Sequence, residues 1–272
     1  MLTGESINRL QRITTLAECT TRQLVVYHHP GLGDALICNG LVHYVADRMD
    51  RVYIPCKPQY LSTLRCLYSE RQAIEVFAVH DWSTEVDAMA AARACPVLRV
   101  GHELCDRRRF DASFYEQVGI PFDVRYSRFA LPRVIPNEQA LYDRLAPGGR
   151  YLLTHRENSL GLFTLRIDSD LPVVDVRRDA DPYDNLLAFR RLIGEADEIH
   201  CINSSVIHLV DGLPTKGRLF YHAVRKTDFT LRPGWTVVPY STHPIAAFAR
   251  RAAARIRLLH APFTRHSRCN SG

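Results

Sequence analysis

Two short segments constrain this chain more than any other feature. In each, a strand-like apolar run passes through a few small residues straight into a helix. Leu24-Val25-Val26-Tyr27 leads through His28-His29-Pro30-Gly31-Leu32-Gly33-Asp34 into a helix predicted over 35–48, and Glu198-Ile199-His200-Cys201-Ile202 leads through Asn203 into a helix predicted over 204–212. Further strands are predicted over 51–55, 73–79, 96–100, 151–154, 172–176, 218–221 and 236–238, and helices over 59–68, 84–94, 110–118, 137–145 and 183–196. Strands alternating with helices at this spacing predict βαβ units and parallel sheets. Pro147-Gly148-Gly149 interrupts the alternation, as a linker would. The chain therefore reads as two α/β halves, with limits expected at 1–140 and 141–242 and a basic C-terminal helix and tail over 243–272.

Composition narrows the function classes. At 272 residues with 46% hydrophobic and 24% charged, the chain is long enough for one large domain or two smaller ones. No run approaches the ~20 apolar residues of a membrane-spanning helix, and residues 1–22 contain nothing like a signal peptide, so a cytoplasmic location is expected. The eight cysteines include no CxxC pair, which argues against a zinc ribbon and for reduced thiols. The formal charge is +6, and residues 243–272 carry six arginines and no acid. The rest of the chain is balanced, so a general nucleic-acid-binding face is not expected.

The two small-residue turns carry the chemistry. Glycines after a strand let backbone N–H groups approach a ligand, and a helix amino end favours anions. Leu36 stands where a dinucleotide fingerprint needs its third glycine, so that site is not indicated. Asp34 can be read as the helix N-cap or as an acid–base residue. Ser204 and Ser205 can be read as an N-cap or as phosphate ligands, with Asn203 beside them and His208 one turn further along. In open parallel sheets ligands bind beyond the carboxyl ends of the strands. Two such turns in two halves therefore predict a cleft with Asp34 on one wall and Ser204-Ser205 on the other. His28, His29, Gly31, Gly33 and Lys57 are further cleft candidates because they follow strand ends. Asp168-x-Asp170 and Asp179-x-Asp181 are expected to be turn residues, not metal ligands.

On these motifs the chain resembles the GT-B glycosyltransferases, particularly the ADP-heptose:lipopolysaccharide heptosyltransferase type. Gly33-Asp34 matches that group's strand-Gly-Asp-helix motif. Asn203-Ser204-Ser205-Val206-Ile207-His208-Leu209 matches the spacing of its Asp-Thr-Gly-x-x-His-Leu motif. Thr154-His155-Arg156-Glu157 is similar in part to the His-x-Arg motif of fucosyltransferase relatives. The resemblance follows the order of elements along most of the chain, while its specific motifs cover some fifteen residues. It implies a GT-B fold: two Rossmann-like α/β domains facing a central cleft, with the C-terminal helix packing back on the N-terminal half. It also implies an inverting, metal-independent enzyme with no resident cofactor and a nucleotide sugar as co-substrate. Asp34 would be the general base, Asn203, Ser204, Ser205 and His208 would hold the donor, and Arg156 would neutralise leaving-group charge. The acceptor implied is a cell-surface glycan precursor such as lipopolysaccharide or capsule.

Two rival functions share these features: a GT-B epimerase or hydrolase acting on nucleotide sugars, and a non-catalytic nucleotide-sugar-binding protein. The tail also has two readings. Ile245, Phe248, Ala252, Ile256 and Leu259 form one stripe with arginines around it. That stripe would pack on the N-terminal half, or residues 243–268 would meet an anionic membrane carrying a lipid-linked acceptor.

Overall fold

A computed structural model describes residues 12–101, 105–106, 108–224 and 229–240. The expected helix at 243–259 and the basic tail lie outside the described residues.

The strands form two five-stranded parallel sheets. The first contains β1 (Arg12–Ile13), β2 (Gln23–His28), β3 (Arg51–Cys56), β4 (Ile74–Ala78) and β5 (Val97–Val100), in the order β1-β5-β2-β3-β4. The second contains β6 (Leu152–His155), β9 (Val173–Asp175), β10 (Glu198–Ile202), β11 (Arg218–Ala223) and β12 (Trp235–Pro239), in the order β12-β11-β10-β6-β9. Between β6 and β9 a small antiparallel pair joins β7 (Glu157–Asn158) to β8 (Gly161–Leu162). Neither β1 nor this pair is expected from the sequence pattern.

Helices cover both faces of the first sheet. Along β2, Leu24 and Val26 face the large core beneath α1 (Leu32–Ile37), α2 (Asn39–Ala46) and α3 (Leu61–Leu67). Val25 and Tyr27 face a second cluster with Val86 and Ala90 of α4 (Trp82–Ala92). This is why β2 reads as a continuous apolar run: successive side chains enter opposite faces, and both are covered. Four further helices are α5 (Phe110–Gln117), α6 (Val124–Ser127), α7 (Glu138–Leu145) and α8 (Arg190–Glu195), followed by α9 (Ser205–Gly212). Leu153, Ile199 and Cys201 of the second sheet join Val206, Ile207 and Leu209 of α9 in the same large core. Among the described residues, no helix is long and apolar enough to cross a membrane.

The helix expected over 35–48 differs in two respects. It begins at Leu32, with Gly31 as N-cap, so Asp34 lies inside the first turn and is not the cap. It also breaks at Cys38, and the cause is a side chain from far along the chain. The Tyr115 hydroxyl donates to the Ile37 carbonyl at 2.7 Å and accepts the Leu41 N–H at 3.3 Å. Those two backbone groups would pair with each other in an unbroken helix, so an inserted side chain separates α1 from α2. The helix expected over 183–196 is shorter too, a 3-10 turn at Leu186–Phe189 running into α8.

Candidate active site

The two small-residue turns meet. A Cβ placed on Gly33 would lie 3.4 Å from Cδ2 of His208 and 3.6 Å from Cα of Ser205. The amino ends of α1 and α9 therefore abut across the two halves, at a separation where a Cβ on residue 33 would just make van der Waals contact with both His208 and Ser205. Both ends direct unpaired N–H groups and positive dipole into one region.

Beside this contact lies a cavity of about 200 Å³. The N-terminal half contributes Leu32, Gln59, Tyr60 and Thr63, and the C-terminal half contributes His155, Arg177, Arg178, Asp181, Asp184 and Ser205 among others. Thr63 also pins the halves together. Its hydroxyl donates to the Asp184 carbonyl at 3.3 Å and accepts the Leu186 N–H at 3.0 Å.

Asp34 sits two residues after Leu32 of the cavity wall, half-buried. Its carboxylate curls back over the turn. A Cβ on Gly31 would lie 2.4 Å from Asp34 Oδ2, so glycine at 31 makes room for that rotamer. An acid in the first turn is favoured by the helix dipole.

Ser205 lines the cavity at the first position of α9, while Ser204 is its N-cap and turns its hydroxyl back to the Ile202 carbonyl at 3.3 Å. The Asn203 carbonyl accepts from Asn158 Nδ2 at 3.1 Å. His208 is buried against Gly33 and the edge of Phe229, and Arg125 Nη2 lies 3.4 Å from its Nδ1. A guanidinium only donates, so Nδ1 accepts and the ring carries its proton on Nε2.

Arg125 is the centre of a buried ionic cluster behind that histidine. It pairs with Asp111 and lies 3.5 Å from Asp211, with side-chain exposures of 4%, 0% and 1%. It also donates to the Thr230 carbonyl at 3.1 Å. Asp111 and Arg125 come from α5 and α6, Asp211 from α9, so the cluster joins the halves directly behind the site.

The remaining candidates separate from the cavity. The Arg156 Nε donates to Asp175 Oδ2 at 3.0 Å, and Thr154 takes the other oxygen at 2.7 Å. His28 is buried and donates from Nδ1 to the His29 carbonyl at 2.6 Å, and desolvation lowers it to about 4. His29 packs on Phe110 and Phe114, and burial lowers it as well. Lys57 caps the turn Pro58–Tyr60, which itself reaches the cavity. Asp181 behaves as a turn residue, its two oxygens accepting the N–H groups of Tyr183 at 2.9 Å and Asn185 at 2.7 Å.

Sequence reasoning missed Gln59, Tyr60, His155, Arg177 and Arg178. Each ends or follows a strand: β3 runs into Gln59-Tyr60, β6 ends at His155, and β9 runs into Arg177-Arg178. Applying the strand-end rule to every parallel strand, and not only to those with small-residue turns, finds them all. His155 donates from Nδ1 to the Val176 carbonyl at 2.7 Å, which orients its ring, and burial lowers its pKa.

Two parallel α/β sheets, joined by abutting helix amino ends with a cavity between their strand ends, make a GT-B fold. No family model matches the sequence, and no curated protein matches it. Among solved structures, the chain is similar to Escherichia coli ADP-heptose lps heptosyltransferase II, with a TM-score of 0.53 and 11% identity over 81% of this chain and 91% of that one. It is also similar to a family 9 glycosyl transferase from Veillonella parvula, with a TM-score of 0.50 and 10% identity over 80% of this chain and 86% of that one.

Proposed function

We propose that this chain is a glycosyltransferase moving a sugar from a nucleotide-sugar donor to a glycan or lipid-linked glycan acceptor. One observation carries this reading: the turn bearing Asp34 and the amino end of α9 come from different sheets and meet beside a single cavity. Residues 1–140 form the acceptor side and residues 141–242 the donor side. The acceptor class follows the E. coli neighbour, whose name specifies ADP-heptose and lipopolysaccharide.

In the proposed reaction Asp34 accepts the proton of an acceptor hydroxyl as that oxygen attacks the anomeric carbon. The bond from that carbon to the donor's phosphate oxygen breaks as the new glycosidic bond forms, so the configuration inverts. The departing diphosphate gains charge, which the α9 amino end at Ser205 and nearby cations stabilise in place of a resident metal. In support, Asp181, the Asp-x-Asp carboxylate in the cavity, is already committed to two backbone N–H groups.

The test is a thermal-shift screen against nucleoside diphosphates and their sugars, with and without manganese, followed by transfer assays on Asp34→Asn. A ligand of the native state raises Tm by mass action. A selective shift with one nucleotide series is expected, and Asp34→Asn should keep that shift while losing about 10²–10⁴ in turnover. No shift with any nucleotide would overturn the reading, and full turnover in Asp34→Asn would remove Asp34 from the mechanism. A shift that requires manganese would overturn the metal-independent reading.

A further inference from the structure

The cation that the resemblance assigns to the leaving group, Arg156, is already held in a network. Its Nε donates to Asp175, whose other oxygen is taken by Thr154. Pulling Arg156 away would strand a carboxylate that is only 20% exposed, and stranded carboxylates are costly. The positive charge that lines the cavity is elsewhere, on Arg177 and Arg178, on the turn that follows β9.

Three features set these two arginines apart. Both line the cavity, as does Ser205 at the first position of α9. The Arg178 side chain is exposed and makes no hydrogen bond or ion pair with any described residue, its backbone carbonyl alone accepting the Asp181 N–H at 3.2 Å. Arg177 reaches only Asp179, at 2.8 Å, and that carboxylate side chain is 69% exposed. Ion pairs with exposed carboxylates contribute little to stability. The Arg177 Nε–H is buried with no acceptor, so the resting position leaves a donor unsatisfied. Rotating Arg177 onto a ligand anion therefore gives up little and supplies the missing acceptor.

The cavity is not uniformly positive, because Asp181 and Asp184 line it too. Asp181 is spent on backbone N–H groups. Asp184 remains, held with a left-handed backbone (φ 49°) whose carbonyl is tied to Thr63. A bare anion meets both the arginines and this carboxylate. A ligand with phosphates and hydroxyls can give phosphate oxygens to the arginines and a hydroxyl to Asp184.

Resting on the donor site proposed above, we infer that Arg177 and Arg178 form the guanidinium clamp for the donor's diphosphate, in place of Arg156. Each guanidinium can present paired N–H groups to phosphate oxygens, and the α9 amino end adds backbone donors from Ser205.

The test is isothermal titration of the full chain and of Arg177→Met, Arg178→Met, the double variant and Arg156→Met. The titrants are ADP, GDP, UDP and CDP, the matching nucleosides and inorganic pyrophosphate. The double variant should bind the preferred nucleoside diphosphate about 10–100-fold more weakly, the worth of one or two charge-assisted hydrogen bonds. Binding of the nucleoside, which has no phosphate, should change less than about threefold by the same accounting. Arg177→Lys should fall between, because it keeps the charge and loses the paired donors. The larger loss must fall on the pair and not on Arg156→Met. Unchanged diphosphate affinity in the double variant overturns the clamp and leaves the glycosyltransferase reading standing. If the protein binds pyrophosphate through these arginines and binds no nucleotide, the clamp stands and the nucleotide-sugar reading falls. If it binds neither, both fall.

Discussion

Replacing Arg125 with Met removes the cation from a cluster that holds the two halves together, and the consequence can be worked from its neighbours. Before substitution one guanidinium serves two carboxylates, all three side chains at most 4% exposed. Afterwards Asp211 keeps the Arg232 N–H at 3.0 Å and the Trp235 Nε1–H at 3.0 Å on one oxygen. Asp111 keeps only the Thr230 N–H at 2.8 Å, one donor against two, while the other oxygen of each carboxylate has no hydrogen-bond partner already. Most of the cost therefore falls on Asp111. Removing one partner of a buried ion pair typically costs ~3–5 kcal/mol, and Met preserves much of the volume packed beside Phe122 and Tyr126. A loss of that size is a large share of the ~5–15 kcal/mol by which domains are stable. Urea unfolding gives the free energy, and hydrogen exchange on α9 shows whether its contact with α1 loosens. Asp111→Asn in the same background should recover about 1–2 kcal/mol by removing the stranded charge. A loss below about 1 kcal/mol, or a second substitution that only adds to it, would refute an ionic tie between the halves.

Three other outcomes are expected. Gly31→Ala should lower turnover, because the new Cβ meets Asp34 Oδ2 and must turn that carboxylate away; Tm should barely change, since the atom displaced is the end of a side chain at a normal backbone angle (φ −79°). Unaltered kinetics would mean that the resting Asp34 rotamer is not the working one. Tyr115→Phe removes the hydroxyl between Ile37 and Leu41, costing about 1–3 kcal/mol and speeding exchange of the Leu41 amide unless the helix closes across the break. Acid should destabilise the fold below pH 6.5: desolvation holds His28 at about 4 and His222 at about 4, so between pH 6.5 and 4 the unfolded chain binds more protons. The contribution is whole above 6.5 and is lost as pH falls towards 4, on the order of 3 kcal/mol for His28. His28→Gln should flatten that slope in urea titrations at pH 7, 6 and 5, and an unchanged slope would show that His28 is not responsible.

The sequence pattern was most informative where local and tertiary demands agree. Leu24–Val26 and Ile199–Ile202 are apolar because those strands are covered, and the small residues that follow them sit where two helix ends come into contact. The two α/β halves and the pairing of the Gly33 and Ser205 turns were legible for that reason, and the resemblance added the GT-B arrangement. The break at Cys38 was not, because residues 35–48 have sound helical periodicity and the intruding hydroxyl comes from Tyr115. The pairing of Arg156 was hidden for a related reason: the resemblance makes it a leaving-group cation, and nothing nearby in sequence announces that Asp175 holds it.

The sequence by itself determined the alternation of strands and helices, the two small-residue turns and the presence of Asp34 in one of them. These follow from side-chain periodicity and backbone freedom, which act over a few residues. Only the tertiary structure decided which charges are spent and which are available. Arg125 is consumed by Asp111 and Asp211, Arg156 by Asp175, while Arg178 is left open to the cavity. Ion pairing depends on distance in space between residues 14 to 86 positions apart in the first case and 19 in the second. No local pattern encodes that distance; it is set when the two sheets pack together.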